Sequence, residues 1–115
     1  MASGVYGKAD LTAATWTEIV APPVSGVKVT TLNIVNRSDA NRKVRVALSA
    51  DATITDDEYI EYNVTLPANG VLERTGIVCS ANNGLYVYSD AASVSAIAYG
   101  MDLSLIHISE PTRPY

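Results

Sequence analysis

The sequence has little of the chemistry from which most catalytic and metal sites are built. Its 115 residues include one cysteine, Cys79, and one histidine, His107. A single cysteine excludes an intrachain disulfide and a metal site made of cysteines, and it is typical of a chain made in a reducing compartment. We therefore expect Cys79 to be a small core residue and not a reactive thiol.

Positive charge is also scarce. Eight Lys and Arg face twelve Asp and Glu, which gives a formal net charge of -4, and the sequence contains no run of basic residues. Nucleic acid is not an expected partner, because binding to phosphates needs a concentrated basic surface. No basic stretch leads into an apolar run, and no apolar run approaches the roughly eighteen residues of a membrane span. We expect a soluble chain with no secretion signal and no membrane partner.

Hydrophobic residues make up 48% of the chain and occur in short runs bounded by Gly, Pro, Asn, Asp and Ser. Seven such runs cover residues 15–21, 27–36, 43–48, 58–66, 71–79, 85–89 and 94–101. Apolar and polar residues alternate within them, as is typical of β-strands, and no long stretch keeps a helical period. The sequence predicts a single all-β domain over 1–102. This domain is expected to be a two-sheet antiparallel sandwich of about seven strands, immunoglobulin-like or jelly-roll-like.

Two runs carry details of strand geometry. In the second run the apolar positions shift phase between Val29 and Leu32, which predicts a β-bulge at 30–31. In the fourth run, alternation places Tyr62 on one face of the strand and Tyr59 on the opposite face.

The last thirteen residues depart from this pattern. Read as codons, residues 103–113 (LSLIHISEPTR) resemble the transposase adapter used in preparing sequencing libraries. We therefore expect 103–115 to be a non-native tail, with the natural end of the protein at or just beyond Asp102. A genuine short strand over 103–108 is the alternative. On the adapter interpretation, His107 is not part of the evolved protein.

Without His107 the chain lacks a histidine base for a Ser or Cys nucleophile, and its seven glycines form no phosphate-binding loop. We expect no enzyme activity, no catalytic residue, no metal and no cofactor. The acidic stretch 51–58, with Glu61 nearby, offers hard oxygen ligands but lacks the spacing and the glycine of a calcium loop. A solvated connection is the favoured interpretation of this stretch. A calcium site, or the paired carboxylates of a glycoside hydrolase, is the weaker alternative.

Aromatic usage is skewed toward tyrosine, with seven Tyr, one Trp and no Phe. Tyr86 and Tyr88 share one face of the sixth run. We predict that Tyr59, Tyr86 and Tyr88 lie at a surface that contacts another subunit, since tyrosine is enriched at such interfaces. The alternative is that these rings cap the edges of the sandwich with their hydroxyls in water. A lone tryptophan facing alternating strands is typical of a core residue, so Trp16 is expected to be buried, with ligand binding as its alternative role.

Four segments carry a resemblance to a known class of proteins: 14–19 (ATWTEI), 59–62 (YIEY), 66–77 (LPANGVLERTGI) and 85–89 (LYVYS). Together with the overall pattern of residues 6–102, they resemble small structural proteins encoded by marine tailed bacteriophages. The resemblance implies a virion component, either a decoration protein of the head or an appendage of the tail or fibre, made in the bacterial cytoplasm. Its implied partners are other copies of itself and phage capsid or tail proteins. A soluble acidic sandwich suits that role, because weak contacts become durable when a lattice repeats them.

A carbohydrate-binding or host-adhesion module is the alternative function. In that case Trp16 and surface tyrosines would form a stacking platform for a surface glycan. A calcium-stabilised enzyme fragment is a third hypothesis, and it requires the thermal stability of the protein to fall on chelation.

Overall fold

The regular secondary structure of the described residues consists almost entirely of β-strands, which confirms the predicted fold class. The computed structural model describes residues 3–103. The strands are β1 Ser3–Asp10, β2 Thr17–Val20, β3 Val27–Asn36, β4 Arg42–Ser49, β5 Tyr59–Leu66, β6 Val71–Cys79, β7 Gly84–Ser89 and β8 Val94–Leu103. A short 3-10 turn, Asp56–Glu58, precedes β5. Within residues 3–103, no helix is long and apolar enough to cross a membrane.

The strands form two four-stranded sheets that pack as a sandwich. Sheet I has the order β1-β8-β3-β6 and sheet II has the order β2-β7-β4-β5, with antiparallel pairing throughout. Each of the first four strands pairs with one of the last four: β1 with β8, β2 with β7, β3 with β6 and β4 with β5. The chain is thus a long hairpin, with the connection between β4 and β5 at its tip, rolled into two layers. This is the strand order of a jelly roll, one of the two predicted sandwich types.

The hydrophobic core lies between the two sheets. β3 contributes Leu32 and Ile34, and β7 contributes Leu85 and Val87, each at most 1% exposed. Cys79 on β6 is fully buried in the same cluster, which confirms its prediction as a core residue. Burial raises the pKa of the Cys79 thiol. Alternate residues of each strand therefore build one inner face and one outer face per sheet.

The predicted β-bulge falls at the expected level of the sheet but on a different strand. β3 keeps a single phase, and its pairing with β8 is unbroken. In its pairing with β6, Thr30 lies opposite Ile77 and Leu32 lies opposite Arg74, so the extra residue is on β6. Gly76 adopts a left-handed conformation there, with φ of 71°. Val27 and Val29, which suggested a phase change on β3, belong to the outer face of sheet I, whereas Leu32 faces the core.

β1 is an eighth strand that the sequence pattern does not predict. Its glycines and charged residues give it no clear apolar alternation. It lies at the edge of sheet I, where pairing with β8 supplies its hydrogen bonds. Gly7 is required where β1 passes β2, because a Cβ at this position would collide with the carbonyl oxygen of Ile19.

β8 extends one residue past the predicted end of the native domain. Leu103 pairs with Val27 of β3, so sheet I includes the first residue of the predicted tail. The rest of that tail, with His107, lies outside the described residues.

Candidate functional site

The outer face of sheet II carries four neighbouring aromatic side chains, which we call the aromatic cluster: Trp16, Tyr59, Tyr62 and Tyr88. The ring centroid of Trp16 lies 5.9 Å from that of Tyr59 and 5.4 Å from that of Tyr88. The rings of Tyr59 and Tyr62 meet edge to face at 4.8 Å. All three spacings are typical of interacting aromatic rings, and the edge-to-face arrangement of Tyr59 and Tyr62 is one that aromatic quadrupoles favour. The four rings therefore form one continuous network.

Irregular pairing of β5 brings Tyr59 and Tyr62 together. Val44 pairs with Val64 and Ala47 pairs with Tyr59, so three residue steps on β4 correspond to five on β5. The two extra residues of β5 shift the alternation of its side chains. The prediction that Tyr59 and Tyr62 lie on opposite faces is therefore wrong, because strict alternation holds only in a strand without bulges.

Trp16 lies in the connection before β2, and its side chain is only partly buried. The expectation of a core tryptophan is wrong. Leu11 and Ile19, on either side of it in the sequence, fill positions in the hydrophobic core. The connection between them carries the indole to the outer face of sheet II, where it contacts Tyr59 and Tyr88.

Arg45 on β4 lies between two rings of the cluster. Its guanidinium carbon is 4.7 Å from the centroid of Tyr62 and 4.8 Å from the centroid of Tyr88. Its Nε donates a 2.7 Å hydrogen bond to Oδ1 of Asn63, a residue with a positive φ of 52° in the irregular part of β5. Two cation–π contacts and a charge-assisted hydrogen bond hold the side chain in one orientation. A guanidinium carries five N–H groups, so the bond to Asn63 leaves other donors for a ligand.

The predicted interface residues Tyr59, Tyr86 and Tyr88 occupy two different environments. Tyr59 and Tyr88 are partly exposed members of the aromatic cluster. Tyr86 is only 5% exposed, and its hydroxyl donates a 3.1 Å hydrogen bond to Oε2 of Glu18. Burial and the Glu18 carboxylate raise the pKa of Tyr86 to about 12. The ring of Tyr86 is thus buried within the domain itself.

The outer face of sheet I carries a second surface, which we call the apolar patch: Val5, Val29, Val78, Tyr99 and Met101. Pairing places Val5 opposite Tyr99, and Val29 opposite both Met101 and Val78. Directly paired residues project to the same face of an antiparallel sheet, so these side chains are neighbours. Val5 is 60% exposed, Met101 49%, Val78 46% and Tyr99 36%. The patch and the aromatic cluster lie on opposite outer faces of the sandwich.

The carboxylates of the acidic connection before β5 form local contacts. Oδ1 of Asp57 accepts a hydrogen bond from the Thr55 hydroxyl at 2.6 Å, and Oε1 of Glu58 accepts one from the Thr55 amide at 2.8 Å. Glu61 forms an ion pair with Arg74 at 2.6 Å. These side chains cap the 3-10 turn and join β5 to β6. In the part of the chain that the structure describes, no group of three or more His, Cys, Asp or Glu residues is placed to hold a metal ion.

The chain matches no protein-family model, no curated protein and no solved structure. Its functional interpretation therefore depends on the two outer sheet faces. Sequence reasoning missed Arg45, Tyr62 and the apolar patch as parts of these surfaces. The alternation of Arg45 with buried Val44 and Val46 was a signal that its side chain projects outward, but the rings that it meets depend on which strands flank β4.

Proposed function

We propose that this protein is a non-enzymatic structural component of a bacteriophage particle, which acts by docking on other copies of itself or on a capsid or tail lattice. The apolar patch is the observation that carries the proposal. The phage setting is supported by the resemblance of the segments at 14–19, 59–62, 66–77 and 85–89 to small virion proteins.

The apolar patch has the character of a docking surface. Most outward positions of a solvated sheet are polar, whereas here four side chains that are at least 36% exposed are apolar or aromatic and belong to one contiguous group. Burying them against a partner would remove apolar surface from water. The patch is formed by β1, β8, β3 and β6, so it is supported by a complete sheet and needs no rearrangement to bind.

The size of the patch indicates a contact that is weak when made once. Five side chains cover on the order of a few hundred Å², whereas a stable two-protein interface buries about 1,200–2,000 Å² in total. A lattice that presents the same contact many times compensates for this, because linked contacts raise the effective concentration of each binding event. We therefore expect concentration-dependent self-association and not a tight dimer.

The test is the assembly state of the purified chain as a function of its concentration, measured by light scattering and sedimentation. The Val78→Lys, Met101→Lys double variant is expected to abolish association, because it places two charges within the patch, one on each side of Val29. Val24→Lys is the matched control, since Val24 is fully exposed and lies in the connection between β2 and β3, outside the patch. A chain ending at Leu103 tests whether residues 104–115 contribute to the association.

Three outcomes would contradict self-association through the apolar patch. A chain that remains monomeric at the highest attainable concentration lacks the expected contact. Association that is equally strong in the double variant and in Val24→Lys does not use the patch. Association that disappears when the chain ends at Leu103 is made by the tail.

A further inference from the structure

The aromatic cluster is a surface that the docking role does not use, since it lies on the face opposite to the apolar patch. We propose that it is a binding site for a neutral, soluble oligosaccharide.

The cluster offers partly exposed aromatic side chains together with hydrogen-bond donors. Tyr62 is 58% exposed, and Trp16, Tyr59 and Tyr88 are partly exposed. A pyranose has apolar C–H groups on its faces and hydroxyls around its rim. It can therefore stack on an aromatic ring while its hydroxyls bond to polar groups beside that ring. The guanidinium of Arg45 and the tyrosine hydroxyls supply such groups within the cluster itself.

Arg45 discriminates between classes of ligand. Aromatic rings at a surface also bind organic cations such as quaternary ammonium groups. Here a guanidinium already lies over the rings of Tyr62 and Tyr88, so a cationic ligand would meet a like charge. The cluster therefore disfavours cations.

The surrounding charges disfavour polyanions. Arg45 is the one cationic side chain in contact with the cluster rings among the described residues. On the neighbouring strands Glu18 of β2 is a carboxylate and Glu61 of β5 is ion-paired with Arg74, and the chain has a net charge of -4. A ligand with many negative charges would meet a single guanidinium at the cluster and a chain of net negative charge around it, which leaves an uncharged ligand as the best match.

The shape of the cluster favours a flexible chain over a flat one. Trp16 is inclined by 46° to Tyr59 and by 47° to Tyr88, and Tyr59 and Tyr62 are inclined by 81°. Such rings do not form a single plane, so they do not match the flat surface of a crystalline polysaccharide. A soluble oligosaccharide can bend to place successive sugar faces on differently tilted rings. Because Arg45 and the network of ring contacts already fix the side chains, little ordering is needed on binding.

The chain supplies its own reporter for this site. Its single tryptophan, Trp16, belongs to the cluster, so all tryptophan fluorescence of the protein originates there. We would titrate the full chain with maltohexaose, mannohexaose and cellohexaose at concentrations up to about 10 mM. This range saturates a site that binds an oligosaccharide with a Kd of about 1 mM. At least one of them is expected to shift the emission of Trp16 to shorter wavelength in a saturable way, because a bound sugar removes water from the indole. Heparin, choline and microcrystalline cellulose serve as polyanionic, cationic and flat probes and are expected not to bind.

Variants at Tyr62 separate stacking from folding. Tyr62→Ala is expected to raise Kd roughly tenfold through the loss of one stacking surface. Tyr62→Phe keeps the ring, so its Kd should lie within about threefold of the Kd of the parent chain, a smaller change than the loss of a whole stacked ring would cause. Val71→Ala is the matched control, because Val71 is as exposed as Tyr62 and lies on β6 of the opposite sheet, outside the apolar patch, and it should leave Kd unchanged. Thermal denaturation of each variant tests whether it is folded. We expect the Tyr62 variants to fold, because the side chain of Tyr62 is largely exposed.

The proposal is overturned if none of the three oligosaccharides changes the emission of Trp16, or if heparin, choline or microcrystalline cellulose binds and they do not. It is also overturned if Tyr62→Ala disrupts self-association without affecting sugar binding, since the cluster would then be a protein contact. The Val78→Lys, Met101→Lys variant keeps the two proposals distinguishable. It should lose self-association and retain the oligosaccharide, so either proposal can fail without the other.

Discussion

Replacing Asn36 with alanine should strongly destabilise the protein, because one buried side chain makes hydrogen bonds to two connections. Asn36, at the end of β3, is fully buried. Its Nδ2 donates to the carbonyl oxygens of Ala40 at 2.8 Å, Leu66 at 3.0 Å and Pro67 at 3.0 Å. Its Oδ1 accepts from the amide and the hydroxyl of Ser38 at 2.9 and 2.7 Å. The side chain thus joins the connection after β3 to the connection after β5.

The magnitude follows from these contacts. An intramolecular hydrogen bond contributes about 1 kcal/mol net, whereas a buried group left without a partner costs about 1–3 kcal/mol. In Asn36→Ala, water can reach the partly exposed groups of the 37–41 connection, but the carbonyl of Leu66 bonds to Asn36 in a buried setting. We expect a loss of about 3–4 kcal/mol in the free energy of unfolding. For a domain of this size that corresponds to a fall in Tm of roughly 15 °C.

The assay is urea denaturation followed by the fluorescence of Trp16. Asn41→Ala is the matched control, because Asn41 is exposed and its Oδ1 accepts one long bond, 3.3 Å from the amide of Ala68. Asn41→Ala should lower the free energy of unfolding by less than about 1 kcal/mol. If Asn36→Ala is no more destabilising than Asn41→Ala, the side chain of Asn36 does not act as a link between the two connections and the reasoning is refuted.

Two further predictions concern Tyr86 and Gly100. Because the pKa of Tyr86 is raised from 10.0 to about 12, its neutral form is favoured by folding. Neutral Tyr86 contributes on the order of 2 kcal/mol to the free energy of unfolding. This contribution is fully present below pH 10 and is lost as the pH rises through 12. Tyr86→Phe should show a smaller loss over that range in alkaline denaturation, and an identical pH profile would contradict the prediction. Gly100→Ala should destabilise by at least about 3 kcal/mol, because a Cβ would collide with the carbonyl oxygen of Val29, and a loss below about 1 kcal/mol in urea denaturation would show that the strand can shift.

Much of the fold was predictable because the burial of alternate residues depends only on near neighbours in the sequence. The predicted runs 27–36 and 71–79 coincide with β3 and β6, and the remaining five predicted runs match strands to within a few residues. The aromatic cluster was predictable only in part. Tyr59 and Tyr88 were predicted to lie at a surface, whereas Tyr62 was placed on the wrong face by assuming regular alternation.

The remaining features arise from contacts between distant parts of the chain. β1 has little apolar alternation and is ordered by its pairing with β8, where the hydroxyl of Tyr6 bonds to Asp102, 96 residues away. Trp16 and Arg45 meet the same tyrosine, Tyr88, because β7 lies between β2 and β4 in sheet II. Local periodicity encodes which residues turn inward. It does not encode which strands become neighbours or where one strand carries an extra residue, and those two properties place the side chains of the aromatic cluster and the apolar patch.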